Sequence, residues 1–353
     1  MDEMLQLSPY SLDRDKKQKF LLEELIKLTD FHYENCKEYA SILDAFGYQN
    51  KKYSSIDDFF PLPVLLFKEY ELKSTNDIVK TLTSSGTTSS KVSQIFLDKQ
   101  TATLQTKALI KIMQDFIGKK RSPMLIVDTK SILSNRHKFS ARAAGVLGLS
   151  NFGRKHTYIL DSDMKLDEDA LNDFLEKYRD EKILIFGFTF MVWEYFYKPL
   201  LKMKADVDLS RAILFHSGGW KKLENLKVSN EVFKKSFFEH FGLRYIHNFY
   251  GMVEQVGSIF VECEYGHLHT PNFADILIRD SVSMEVLPHG KQGVIELVSL
   301  IPRSYPGHVI LSEDEGVIMG EDDCKCGRKG KYFKVIGRLR EAEQRGCSDT
   351  FRA

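Results

Sequence analysis

The feature that most restricts the fold of this chain is a change of hydrophobic rhythm near residue 255. Before it, short apolar runs at Met124–Val127, Tyr158–Leu160, Ile183–Phe188, Ala212–Phe215 and Tyr245–Phe249 alternate with helical stretches such as TATLQTKALIKIMQDFIG. Strands separated by helices predict βαβ units and a mostly parallel sheet. After it, SIFVE, ADILIRD, SMEVL and GVIELVSL follow one another with turns as short as PHGKQG, which leaves no room for helices. That part is expected to be an antiparallel sheet or distorted barrel. At the other end, Phe20, Leu21, Leu25, Leu28 and Phe31, then Tyr39, Ile42 and Leu43, recur at spacings of three and four and predict amphipathic helix over 11–46, broken by Pro61 and Pro63.

A chain of 353 residues exceeds what one small core usually organises, so the expectation is a large α/β domain with appended pieces, or two to three subdomains. There is no internal repeat or flexible linker. With 50 Lys+Arg against 49 Asp+Glu, no summed field recruits nucleic acid or anionic lipid. No apolar run approaches the roughly 20 residues that span a bilayer, and the start MDEMLQLSPY lacks a leader pattern, so a cytoplasmic protein is expected. Five cysteines, an odd and sparse set, fit reduced thiols available for metal or chemistry.

Four segments carry chemistry. Thr83-Ser84-Ser85-Gly86-Thr87-Thr88-Ser89-Ser90-Lys91 gathers hydroxyls and backbone N–H groups around a glycine, a nest for phosphate oxygens, with Lys91 near enough to neutralise charge. No Gly-Lys-Ser/Thr ends it, which excludes the P-loop NTPases; the plain alternative is a Ser/Thr-rich surface loop. His247-Asn248-Phe249-Tyr250-Gly251-Met252-Val253-Glu254 ends a strand in a glycine turn and then presents a carboxylate, where an aromatic can stack on a base and a glutamate can hold Mg²⁺. A buried Tyr and a helix-terminal Glu would look the same. Phe215-His216-Ser217-Gly218-Gly219-Trp220 lets backbone approach a flat ligand. Leu311-Ser312-Glu313-Asp314-Glu315-Gly316 puts an acid before a glycine turn, suited to ribose hydroxyls or to an ordinary β-turn.

In this order the four segments resemble the adenylate-forming superfamily of acyl-CoA synthetases, nonribosomal adenylation domains and luciferases, over roughly residues 60–346. Its phosphate loop is similar to Ser84-Ser85-Gly86-Thr87-Thr88, its adenine strand to Ser217-Gly218-Gly219, and its Tyr-Gly-x-x-Glu signature to Tyr250–Glu254. Its ribose acid falls on Asp314 and its hinge-proximal Gly-Arg on Gly337-Arg338. The resemblance implies an α/β fold: a large N-terminal domain of mixed sheets with a barrel-like part. It also implies a helical region at 1–60, an adenylate-forming core at 61–337 and a truncated hinge and tail at 338–353, the C-terminal lid domain and its lysine being largely missing.

Within the superfamily the chain looks most like the branch of phenylacetate-CoA ligases and LuxE-type acyl-protein synthetases, on Phe249–Gln255, the short helical start and Arg345-Gly346-Cys347. Ser89 and Lys91 depart from the usual Gly and Pro. The resemblance implies ATP and Mg²⁺, a carboxylic-acid substrate, a catalytic Glu254 and an acyl reductase as protein partner. It also implies that Cys347 accepts the acyl group, chemistry that suits a thiolate attacking a mixed anhydride. Gly187–Trp193 would line the acyl pocket, although aromatic stripes of this kind are more often core. Cys263-x5-His269 and Cys324-x-Cys326 offer three thiolates and an imidazole, a structural Zn²⁺ set in which His267 competes as ligand and against which unligated thiols stand almost level. Two other functions remain open at this point: an acyl-CoA ligase whose lid is supplied elsewhere, and a non-catalytic nucleotide-binding relative.

Overall fold

The amphipathic start folds as two helices, Arg14–Asn35 and Lys37–Ala45, in a computed structural model that describes residues 4–47, 51–84, 91–133, 141–203, 207–220 and 228–339. Asp13 caps the first helix by accepting from the Lys16 N–H, and Cys36, in extended conformation, separates the two. The buried stripe of the first helix is Lys17, Leu21, Leu25, Leu28, Thr29 and His32. Phe31 stays 41% exposed because the stripe continues from Leu28 through position 32 instead. The helix thus buries apolar residues at its middle and polar ones at both ends.

The described residues form two units, one made of those up to Phe116 together with those from Gly251 onward, the other of Ile117 to Tyr250. In the first, Ala274–Arg279, Gln292–Ser299, Val309–Glu321, Lys331–Arg338, Leu268–His269 and Phe260–Glu262 lie side by side in that order, every pairing antiparallel. Leu62–Pro63 adds a parallel pairing to Ile310–Leu311. Leu21, Leu25 and Leu28 pack on Leu277, Val298, Leu300 and Val309 of this sheet, with Ile56 and Phe59. Two details differ from the sequence expectation. Ser283–Leu287 makes only a single bridge, Arg279 to Val286, because Asp280 accepts from the Val282 and Ser283 N–H groups and Met284 takes a positive φ of 62°. Asp314 sits inside a 13-residue strand, not at a turn; the glycine after it marks a bulge, where a Cβ on Gly316 would come within 2.7 Å of Ile295. A separate hairpin pairs Ile78–Thr83 with Gln94–Asp98.

In the second unit, Tyr245–Tyr250, Ala212–Ser217, Ile183–Phe188, Ser122–Thr129 and Gly153–Leu160 form a parallel sheet in that order. These are the five expected apolar runs. Ile183–Phe188 is buried along its whole length, as the continuous apolar pattern of a strand covered on both faces requires. Beyond it the chain turns through Thr189–Met191 into a π-helical turn at Val192–Tyr197. Trp193, Phe196 and Tyr197 pack against Phe233 and Phe237 of the helix Asn230–Phe241. The aromatic stripe is therefore core in this structure. Gly187 is needed at its start, since a Cβ there would lie 2.7 Å from Val192 and 2.8 Å from Val127. No described helix is long and apolar enough to cross a membrane.

Candidate functional site

In the first unit the hydroxyl-rich segment connects the two strands of the Ile78–Asp98 hairpin. Ser84 closes it: its N–H donates to the Ser93 carbonyl at 3.1 Å, and its hydroxyl accepts from the Ser93 N–H at 2.9 Å. Ser85, Gly86, Thr87 and Thr88 lie outside the described residues, as does Cys347. Lys91 pairs at 2.6 Å with Glu69, both exposed.

Glu254 lies in a short 3-10 turn, Val253–Gln255, and is 6% exposed. Burial pushes its carboxyl above the ordinary range, while the Ser93 hydroxyl and, more weakly, the charges of Lys68 and Arg338 pull it down. Ser93, at the hairpin mouth where the hydroxyl-rich run meets a strand, is a residue that the sequence did not single out. Asp314 and Arg338 face each other across two strands and form an ion pair at 3.5 Å. The Asp314 N–H donates to the Ser312 hydroxyl at 3.1 Å, and that hydroxyl donates to the Ile295 carbonyl at 2.8 Å, so the position is tied to the strand beside it. A Cβ on Gly251 would meet Ile259 at 3.1 Å.

In the second unit the candidate residues stand at the carboxyl ends of adjacent parallel strands, where α/β sheets bind ligands. Ser217 pairs with Phe249 in the sheet register, and its hydroxyl donates to the Phe249 carbonyl at 2.9 Å. Gly218 has a φ of +84°, which favours glycine, and a Cβ there would lie 3.2 Å from the Phe188 ring; Gly219 beside it faces open space. Tyr250, half-buried, ends the neighbouring strand. One residue before Ser217, His216 is buried with its Nδ1 2.9 Å from the Thr189 hydroxyl, and burial lowers its pKa to about 3.

The four ligand atoms of Cys263, His269, Cys324 and Cys326 lie within 4.8 Å of one another, so this set can hold a metal ion. The sheet brings them together: Leu268 and His269 pair with Phe333 and Tyr332, setting the Cys263 turn against the Cys324–Gly327 turn. The Cys263 and Cys324 sulfurs are 3.9 Å apart, and the Cys326 sulfur is 3.3 Å from His269 Nε2. A tetrahedron with metal–sulfur bonds of about 2.3 Å has edges near these lengths. His267 Nδ1 lies 3.6 Å from the Cys324 sulfur. His269 Nδ1 is buried without a hydrogen-bond partner among the described residues, the group that a metal-bound imidazole uses for its outer contact. Burial pushes the Cys263 thiol up to about 12 and lowers His269 to about 3.

A sequence model of the family described as acyl-protein synthetase, LuxE, matches residues 1–353. A long-chain-fatty-acid–luciferin-component ligase of Vibrio harveyi is 23% identical over 134 residues, which are 37% of this chain and 34% of that protein; the match therefore spans about a third of that relative. Among solved structures, an open conformation of 2-hydroxyisobutyryl-CoA ligase is similar with a TM-score of 0.73 at 16% identity, covering 94% of this chain and 77% of that one. Apo MatB from Rhodopseudomonas palustris is similar at a TM-score of 0.50 and 15% identity, covering 75% and 49%. These likenesses establish a shared fold.

Proposed function

The chain belongs to the acyl-protein synthetase (LuxE) family, and from that premise we propose that it is an ATP-dependent ligase that activates a carboxylic acid as its adenylate and passes the acyl group to a thiol, its own Cys347. The observation that carries the reading is Glu254: a carboxylate 6% exposed, held beside the hairpin whose loop reads SSGTTSS, in a chain matched by that family from end to end. A substrate carboxylate, already ionised at pH 7, attacks the α-phosphorus of ATP, and pyrophosphate leaves. Glu254 would hold Mg²⁺, which would supply neutralisation of the charge developing on the phosphate oxygens and favour the ionised form of this buried carboxylate.

In this reading Ser84, Ser85, Gly86, Thr87, Thr88 and Lys91 cradle the phosphates, Lys91 exchanging Glu69 for the nucleotide. Tyr250, Gly251, Gly218 and Gly219 take the adenine, and Asp314 with Arg338 the ribose. The Cys347 thiolate then attacks the acyl carbonyl, AMP departs and a thioester remains for an acyl reductase partner. Cys263, His269, Cys324 and Cys326 hold a structural Zn²⁺, closed by four protein ligands and remote from the chemistry in role.

The test is intact-mass spectrometry of the protein after incubation with Mg²⁺, ATP and acids ranging from short hydroxy acids to tetradecanoate, beside Cys347→Ser. The expected result is a hydroxylamine-labile adduct that requires ATP and is absent from the variant. Pyrophosphate release without any adduct would instead indicate an acceptor such as coenzyme A.

A further inference from the structure

His267 lies beside the Cys/His cluster, and the activity above does not use it. A tight turn sets it there. The Gly266 N–H donates to the Cys263 carbonyl at 3.0 Å, Gly266 takes a φ of +79°, and the Cys263 N–H donates to the His267 carbonyl at 2.8 Å. His267 and His269, two residues apart, then pack on the same Tyr332 ring, with centroid separations of 4.8 and 5.7 Å and interplanar angles of 39° and 27°. Tyr332 is itself the register partner of His269. Held by one ring, the two imidazoles face different sulfurs: His269 Nε2 lies 3.3 Å from that of Cys326, and His267 Nδ1 3.6 Å from that of Cys324.

Cys263, Cys324, Cys326 and His269 already supply the four ligands of a tetrahedral structural site, so His267 is left outside it. Three thiolates around Zn²⁺ leave one net negative charge, and Cys263 and Cys324 are 0% and 7% exposed. A buried charge needs hydrogen-bond donors. Backbone N–H groups supply some of them: those of His267 and Tyr265 serve the Cys263 sulfur, and that of Cys326 serves Cys324. The His267 ring adds a donor only when Nδ1 carries the proton. A neutral imidazole has one donor and one acceptor nitrogen, and while Cys324 is a thiol it can itself donate to Nδ1. A metal-bound thiolate has no proton to give, which leaves the ring as the donor. We propose that His267 supports the metal cluster without ligating it, its Nδ1–H donating to the Cys324 thiolate. His267 is a positioning residue, and zinc binding fixes its tautomer. The inference rests on the reading of the cluster as a zinc site.

Zinc release to a chromophoric chelator, together with the ¹⁵N-histidine NMR spectrum of the zinc-loaded full-length chain, tests it with His267→Phe and His267→Asn. Phenylalanine keeps a ring against Tyr332 but has no donor, whereas the asparagine amide offers an N–H near the position of Nδ1 without the ring. The expected result for His267→Phe is unchanged zinc content, release faster by about 10–100-fold, and disappearance of one imidazole that wild type shows protonated on Nδ1. His267→Asn is expected to release zinc at close to the wild-type rate. Wild-type release from His267→Phe, equal acceleration in both variants, or a His267 ring protonated only on Nε2 would overturn the donor role while leaving the metal reading intact. Loss of zinc from both variants would make His267 a ligand and overturn that role as well. A wild-type protein that takes up no zinc would overturn the metal reading, and the role of His267 with it.

Discussion

The two units solve the problem of a unique interior differently. The second is held by shape: its central strand is buried throughout, and Trp193, Phe196, Tyr197, Phe233 and Phe237 interleave behind it. The first buries charge more heavily than the second, in which Asp128 pairs with Arg142 at 3.0 Å. Lys17 and Lys331, 1% and 5% exposed, both approach the Asp275 carboxylate, at 3.8 and 3.2 Å, and Lys17 also donates to the Thr270 hydroxyl at 2.7 Å. Arg279 and Glu296 pair in the same interior. At the far end of the Arg14–Asn35 helix, His32 stacks on His308 with ring centres 4.9 Å apart; the Ser74 hydroxyl meets His32, and those of Thr29 and Tyr39 meet His308. Apolar surfaces tolerate small slips, whereas a buried ion must find its partner or lose several kcal/mol. Polar contacts at both ends of the helix therefore fix its position along the sheet, which the leucines between them do not.

The contrast can be broken most directly at Asp275. Asp275→Ala leaves two buried ammonium groups without their anion and is expected to cost about 3–5 kcal/mol in urea unfolding. Adding Lys17→Met and Lys331→Met should recover most of that loss, and failure to recover it would mean that the charges are not what the site lacks. In the second unit Leu184→Ala, 2% exposed on the central strand, is expected to cost about 2–5 kcal/mol through lost burial and a cavity. There a second apolar substitution restores stability only if it refills the volume.

The smallest effect separates the units by pH. Burial holds His32 and His269 near 3 and His308 well below its ordinary value in the first unit, and His216 near 3 in the second. Between pH 6.5 and about 3 the unfolded chain binds protons that these folded imidazoles do not, so stability falls as pH falls. Each contributes at most about 1.4 kcal/mol per pH unit. Hydrogen exchange followed separately in Ala274–Arg279 and Ile183–Phe188 should show the steeper decline in the former. His308→Gln should narrow the difference between the two slopes. Of the charged groups around the pair, Arg303 opposes protonation of His32.

What the chain determined locally was legible in its sequence. Five apolar runs bounded by helical stretches could only be strands of a parallel sheet, and the change near residue 255 announced the antiparallel one, because both follow from the spacing of apolar residues within a few positions. The hydroxyl loop, the strand-end glycines and Glu254 stood out for the same reason. Misreadings came where neighbours overruled the local pattern: Phe31 lost its place in the stripe to His32, whose partner His308 is far away in sequence, and Ser283–Leu287 gave way to the Asp280 turn. Only the tertiary structure decided that His269, Cys324 and Cys326 converge with Cys263, that His267 faces Cys324, and that Asp275 receives Lys17. Those meetings depend on strand register and on one helix docking across the sheet. Such long-range pairings leave no period in the sequence, since each is fixed by the whole fold and not by its own few residues.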